Sequence, residues 1–306
     1  YVPRKKLIEY YEKYAKKFDI KPEFNLELKK AFKKDDIWKL QFSNGESLEC
    51  KYLIIASGAN HYPKEVKIKG QENFYGTISQ SKNYKNTKDF RNKRVLVVGM
   101  GNTGAEIALE LAENEIDVSI SIRSPVSIVP RDVFGRPVQV TGKMLEKIPF
   151  GIGDWIGTQV RKFVIGDLSK YGVPMSGVHP AVQLKEKGKT PMIDLGTIKM
   201  IKKGRIKVFG DIEEISDRRI QFKDGKAEEF DCIILATGYK PMLSKVIDNI
   251  EPELGKFNFP KGPIAKAESN KGLYFVGFDN YKLGGILGTI YNDSKIIVDS
   301  ILKGSK

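Results

Sequence analysis

Leu7, Ile8, Tyr11 and Tyr14 recur at three- and four-residue spacing among lysines and glutamates, a period that predicts an amphipathic helix over residues 4–18. The pattern then changes to short β-rich runs at 23–29, 37–43 and 48–56. Ser43-Asn44-Gly45 between the last two predicts a hairpin, because Asn-Gly accepts the positive φ of a tight turn. The last run, Tyr52-Leu-Ile-Ile-Ala56, ends at Ser57-Gly58.

The same layout returns later in the chain. Arg205–Phe209, Glu214–Ile215 and Arg219–Phe222 read as short strands and Lys223-Asp224-Gly225 as a turn. Asp231-Cys-Ile-Ile-Leu-Ala236 then closes the copy as an apolar strand ending at Thr237-Gly238. A repeat at this distance predicts two similar nucleotide-binding units rather than a solenoid; the alternative is two unrelated hairpins. Only the second copy is preceded by strand, glycine loop and helix: Arg94–Val98, Gly99-Met-Gly101-Asn-Thr-Gly104, then Ala105–Asn114. The first copy has no such opening, and the chain begins Tyr-Val-Pro without methionine. The expectation is a first unit entered midway, short of about 60–90 residues by the size of βαβ-type units.

Residues 143–170 carry Met144, Leu145, Ile148, Trp155, Ile156, Val160, Phe163 and Val164, broken by Pro149, Gly151 and Gly153. They read as two short helices that line a cleft or pack on the sheet. Leu273–Val276 predicts a strand, and Ile290, Ile297, Val298 and Ile301 mark the apolar side of a last helix at about 289–302. The resulting fold class is α/β with two Rossmann-like dinucleotide-binding domains, the first incomplete at its N-terminus. The expected boundaries are 1–90 and 241–306 for that domain and 91–240 for the second.

Composition adds little to this picture but narrows it. The 306 residues are 41% hydrophobic and 29% charged, a globular balance with no uncharged stretch near the ~18 residues of a membrane-spanning helix. The 52 basic and 38 acidic residues give a net charge of +14, which would suit a polyanion, but the lysines are interleaved with acids. Lys29, Lys30, Lys33 and Lys34, for example, run straight into Asp35 and Asp36. A solvated surface, and no nucleic-acid partner, is expected. Cys50 and Cys232 form no CxxC pair, which fits a reducing compartment and disfavours a dithiol redox enzyme.

Gly99-x-Gly101-x-x-Gly104 after an apolar strand and before a helix is the dinucleotide fingerprint. Its glycines permit the tight turn, the approach of a pyrophosphate and close helix–strand packing, with Asn102 and Thr103 completing the cradle. The end of the following strand decides between dinucleotides. An acid there would hold a ribose 2′-hydroxyl, whereas this chain has Arg123, 19 positions beyond Gly104, followed by Ser124. A guanidinium suits a 2′-phosphate, so NADPH is preferred. Ser57, Gly58, Thr237, Gly238, Asp279 and Gly288 are further candidates, for lining a second cofactor and the crossing between units. His61 and His179 lack ligand spacing, no metal motif is present, and no acid–base set stands out; the catalytic residue remains unassigned and the hard chemistry falls to a cofactor.

At this point the motifs resemble a known family. Phe74-Tyr-Gly76-Thr-Ile-Ser-Gln80-Ser-Lys-Asn-Tyr84-Lys85 is similar to the FxGxxxHxxxYK signature of flavin-containing monooxygenases, with Gln80 in place of the histidine. Gly101–Glu106 and Leu235-Ala-Thr-Gly-Tyr239 resemble the same family. Its plant YUCCA branch is resembled by Ile122-Arg-Ser124 through Val129-Pro-Arg131, by Gly188–Gly196, and by Leu287-Gly-Thr289 with Asp293. The resemblance implies FAD and NADPH as cofactors. It also implies O2 and indole-3-pyruvate as substrates, transfer of one oxygen atom from a C4a-(hydro)peroxyflavin, and indole-3-acetate, the auxin, as product. It implies a cytoplasmic enzyme within reach of the cytosolic face of the endoplasmic reticulum. Two alternatives stay open: a general N- or S-oxygenating flavin monooxygenase, and an inactive NADP(H)-binding paralogue.

Overall fold

The computed structural model describes residues 2–133, 135–138, 159, 164–178, 180–188, 190–278 and 285–304. In chain order the elements begin with helix α1 (Arg4–Lys17) and strands β1 (Leu28–Lys34), β2 (Ile37–Phe42), β3 (Ser47–Cys50), β4 (Leu53–Ile55), β5 (Tyr62–Pro63), β6 (Thr77–Gln80) and β7 (Arg94–Val98). Helix α2 (Asn102–Glu113) leads to β8 (Asp117–Ser121), β9 (Ile128–Pro130), β10 (Asp132–Val133) and β11 (Arg136–Pro137). Then come α3 (Pro180–Lys187), β12 (Met192–Asp194), α4 (Thr197–Lys202), β13 (Ile206–Phe209), β14 (Ile212–Ser216), β15 (Arg219–Phe222), β16 (Ala227–Glu229), β17 (Cys232–Leu235), β18 (Tyr239–Lys240), β19 (Leu273–Phe275) and α5 (Gly285–Gly304). The chain divides into two compact units, residues 1–54 with 243–253 and 264–274, and residues 55–242 with 254–263 and 275–306.

In the first unit β1, β2 and β3 form an antiparallel meander. The expected strand at 23–29 lies instead at 28–34. Asp35 and Asp36 both take positive φ (50° and 60°) and turn the chain tightly, so the lysine run becomes a strand. Lys29, Lys30 and Lys34 are exposed, while Ala31, opposite Leu40, is fully buried. The single strand expected at 48–56 is two, β3 and β4, broken at Lys51-Tyr52. Trp38 is fully buried, and its indole donates to Lys271 O at 3.2 Å. Glu253 ties the unit together: its buried carboxylate accepts from Lys266 N and Ala267 N, both at 2.8 Å, and from Asn270 Nδ2 at 3.4 Å. Helix α1 forms where its period predicts, yet it buries no residue, and Leu7, Ile8, Tyr11 and Tyr14 all stay exposed.

The second unit is built on a five-stranded parallel sheet of order β13-β8-β7-β17-β6. Val95–Val98 of β7 and all of β17 are apolar because both faces of the sheet are covered there. Alternate side chains enter different cores. Val95, Val97, Cys232 and Ile234 pack with Ala105, Ala108 and Leu111 of α2 and Ile198 and Ile201 of α4. Leu96, Ile233 and Leu235 pack instead with Phe209, Phe222 and Phe230 beside the second meander, β14-β15-β16. That meander matches the one in the first unit, but not with the strands expected: Arg205–Phe209, read as its first strand, is β13 at the edge of the parallel sheet, and its third strand is β16, which carries no apolar alternation to mark it. Helix α2 starts at Asn102, three residues before the expected Ala105, and α5 starts at Gly285, before the expected 289. Ile297 of α5 is buried, but Val298, placed on the same apolar side by sequence, is 53% exposed. Most of the two helices expected at 143–170 falls outside the described residues, as does His179.

Asp231 staples the entry of β7 to β17. It accepts from Arg94 N at 2.8 Å and from the guanidinium groups of Arg94 and Arg218 at 3.4 and 3.0 Å. The backbone hydrogen bond from Arg94, and then the two guanidinium groups, hold its carboxyl below the usual aspartate range. A carboxyl with a lowered native pKa stabilises the fold above its unfolded value of about 3.9 and loses that contribution as pH falls through the native value. The stability gap between wild type and Asp231→Asn is therefore expected to stay level from about pH 8 to 5 and to close in stronger acid. Denaturant titrations giving equal gaps at neutral pH and in strong acid would contradict this.

Candidate functional site

The parallel sheet reverses its order at β7. Helix α2 carries the chain to β8 on one side, whereas β13 leads through the second meander to β17 on the other. The crevice at the carboxyl ends of strands beside such a reversal is where open α/β sheets place ligands. Here it is bordered by Gly99 and by Ala236, the residues that follow β7 and β17.

The three glycines of the loop have different reasons to be glycine. Gly99 takes φ +109°, and a Cβ there would lie 2.6 Å from Ala236 O. At Gly104 a Cβ would stand 2.0 Å from Gly99 O and 3.1 Å from Ala236 Cβ, so any side chain would pry α2 off the sheet. Gly101 is the opposite case: its φ is −87°, and a Cβ would meet no protein atom within 4 Å. A residue pressed by nothing inside the protein leaves room for something to approach from outside. No side chain caps the start of α2 and no acid sits in its first turn. Its unpaired N–H groups and the positive end of its dipole are available to an anion such as a dinucleotide pyrophosphate.

Asn102, expected in the cradle, turns its side chain away from it. Its Nδ2 donates to Pro191 O at 3.4 Å and its Oδ1 accepts from Ile193 N at 2.7 Å, bracing β12 against α2. The N–H groups of Asn102 and Thr103 remain the groups offered to an anion. Arg123 lies two residues beyond β8, exposed and without an ion pair among the described residues, followed by half-buried Ser124. Ser57 and Gly58 follow β4, with Ser57 exposed. Thr237 Oγ1 donates to Lys64 O at 3.0 Å and Gly238 O accepts from Lys64 N at 2.8 Å, which fixes both residues against the 62–64 segment. Gly288 is in the first turn of α5, open on its Cβ side. Asp279 lies outside the described residues. His61 packs edge-on against Tyr62, with ring centroids 4.5 Å apart.

The signature segment 74–85 is mainly a packing device. A Cβ on Gly76 would come within 2.5 Å of Asp231 O, and Thr77 N donates to that same oxygen at 3.1 Å, seating β6 beside β17. Tyr84 stacks on Phe90 at 5.6 Å; burial first, and then neighbouring Glu110, push its phenol pKa up, so it stays neutral. Gln80, half-buried, ends β6 opposite Leu235. Sequence reasoning missed Ala236 as the wall behind two glycines, although its repeated Ala-[Ser/Thr]-Gly setting was visible. It also missed a hydrogen bond between Ser81 and Tyr239, for which nothing local in the sequence gives a sign. A cavity of about 630 Å3 lined by Pro130, Arg131, Asp194, Lys199 and Lys202, among others, includes none of the expected cofactor residues. No helix among the described residues is long and apolar enough to cross a membrane.

Comparison with known proteins bears on what such a site serves. Residues 1–133 match the family model described as pyridine nucleotide-disulphide oxidoreductase. The chain is 33% identical over 293 residues to the probable indole-3-pyruvate monooxygenase YUCCA9 of Arabidopsis thaliana, covering 93% of this chain and 69% of that protein. It is also 33% identical to the indole-3-pyruvate monooxygenase YUCCA6 of the same plant, covering 99% and 74% of the two chains. Among solved structures, cyclohexanone monooxygenase from Rhodococcus sp. Phi1, bound to NADP+, superposes with a TM-score of 0.72 at 16% identity, covering 100% of this chain and 70% of that one. At that identity the likeness speaks for the fold alone.

Proposed function

Because this chain belongs to the YUCCA family of flavin-containing monooxygenases, we propose that it is an FAD- and NADPH-dependent enzyme that converts indole-3-pyruvate to indole-3-acetate. The overall change consumes NADPH, a proton and O2 and yields NADP+, water and CO2 beside the acid. The parallel sheet with its glycine loop forms the NADPH-binding domain, which takes in β6 and so begins before the expected boundary at 91, and the first unit belongs to the flavin-binding domain. Gly101 carries the reading. It is a loop glycine at the sheet's reversal that no protein atom crowds, set at the uncapped start of α2.

In this reading the chain's own residues bind and orient. Gly99 and Gly104 hold the loop tight against Ala236, the N–H groups of Asn102 and Thr103 face the pyrophosphate, and the amide of Asn102 keeps β12 in place. Arg123 and Ser124 take the 2′-phosphate, where a free guanidinium offers two parallel donors. Ser57, Gly58, Thr237, Gly238, Asp279 and Gly288 border the flavin and the crossing between domains. The bound cofactors supply hydride transfer and the activation of O2, which no side chain here can provide.

Replacing Arg123 with alanine is expected to raise KM for NADPH about tenfold or more, the size of a lost charged hydrogen-bond pair, while KM for NADH barely changes. An unchanged NADPH/NADH ratio would overturn the assignment. For the substrate, product analysis by mass spectrometry with indole-3-pyruvate, an amine and a thioether separates this reading from a general N- or S-oxygenase. Oxygenation of the soft nucleophiles with no indole-3-acetate formed would favour the latter.

A further inference from the structure

The Ser81 hydroxyl lies 3.1 Å from the Tyr239 hydroxyl, and Ser81 is only 8% exposed. These two groups come from segments 158 positions apart, one in the signature that ends β6 and the other in the Ala-Thr-Gly-Tyr stretch after β17. Each sits at a mechanically connected point. Ser81 directly follows Gln80, whose register partner is Leu235, and Leu235 is in turn paired with Val98, the last residue before the glycine loop. Tyr239 pairs with Pro63 in the short β5–β18 ladder, next to the Lys64–Gly238 and Lys64–Thr237 hydrogen bonds.

Between Leu235 and Tyr239 the chain has to bend, and the residue at the start of the bend is Ala236, whose carbonyl and methyl form the wall behind Gly99 and Gly104. One end of the bend is fixed by Ala236 N donating to Val98 O at 2.9 Å. At the other end, the Tyr239 phenol is joined to the sheet by the Ser81 hydroxyl. We infer that Ser81 and Tyr239 form a positioning pair that holds the 236–239 bend as the wall of the dinucleotide crevice, and so sets the affinity for NADPH. The inference rests on the NADPH reading above. It assigns the pair no contact with the cofactor and no role in choosing NADPH over NADH, since the 2′-phosphate residues lie beyond β8.

The test is a double-mutant cycle on the intact chain, with NADPH and NADH binding measured by titration and stability by thermal melting. Tyr239→Phe and Ser81→Ala are each expected to weaken NADPH binding about three- to tenfold, the range of one hydrogen bond, with NADH weakened by the same factor. The double variant is expected to be no weaker than either single one, because both remove the same bond. Wild-type affinity in both single variants, whatever their melting temperatures, would show a purely structural bond and overturn the inference. Additive losses would overturn the pairing. Wild-type protein that binds neither nucleotide would instead sink the NADPH reading itself, and the inference with it.

Discussion

Gly104→Ala is expected to destabilise the second unit severely. The added methyl would stand 2.0 Å from a backbone carbonyl that belongs to the same loop, so no side-chain rotation can relieve it. Relief requires moving α2, which carries Ala105, Ala108 and Leu111 into the main core. Overpacking against backbone at such a point costs about 4 kcal/mol or more, a large share of a typical 5–15 kcal/mol stability. The informative partner is Gly101→Ala, where the methyl meets no protein atom within 4 Å and φ is already negative. That variant is expected to melt like the wild type yet bind NADPH at least tenfold more weakly, because the methyl occupies the approach of the pyrophosphate. Melting curves and nucleotide titrations on the two variants thus separate the packing glycine from the ligand glycine. Equal affinity in Gly101→Ala and wild type would remove the loop from the binding site.

Glu253→Ala carries the second large expectation. Glu253 is 4% exposed, and its carboxylate satisfies two backbone N–H groups, those of Lys266 and Ala267, which lose that acceptor in the variant. Orphaned buried donors cost about 1–3 kcal/mol each, so a loss of roughly 3–4 kcal/mol is expected in denaturant unfolding. Glu253→Gln keeps one acceptor and should lose about half of that. Indistinguishable midpoints for wild type and Glu253→Ala would mean that the 265–270 turn holds without its carboxylate.

Legibility followed the range of the interaction responsible. β7, the glycine loop, α2 and β8 were readable because period, glycine spacing and strand apolarity all act within about thirty residues, the span of one βα unit. β1 was misplaced because a run of lysines hides a strand that buries only Ala31 fully, and the deciding turn uses two aspartates rather than Asn-Gly. Burial was harder still: the period of α1 foretold a helix but not that Tyr11 and Tyr14 stay exposed, since packing is set by what lies opposite. At the site, glycine positions were legible but side-chain duties were not. The Asn102 amide braces a strand about ninety positions away, and no local pattern encodes such a partner.

β17 lies between β6 and β7, although it is the last of the three to appear in the chain. A ribosome releases β6 about 150 residues before its only sheet partner, so at usual elongation rates that strand waits roughly ten to thirty seconds. During that interval β7 also keeps one edge bare, with Val95, Leu96 and Val97 unpaired along it. In the growing chain β6 and one edge of β7 therefore stay without their strand partner until residue 235 has emerged, and a stall upstream of that point leaves these two strands with nothing between them.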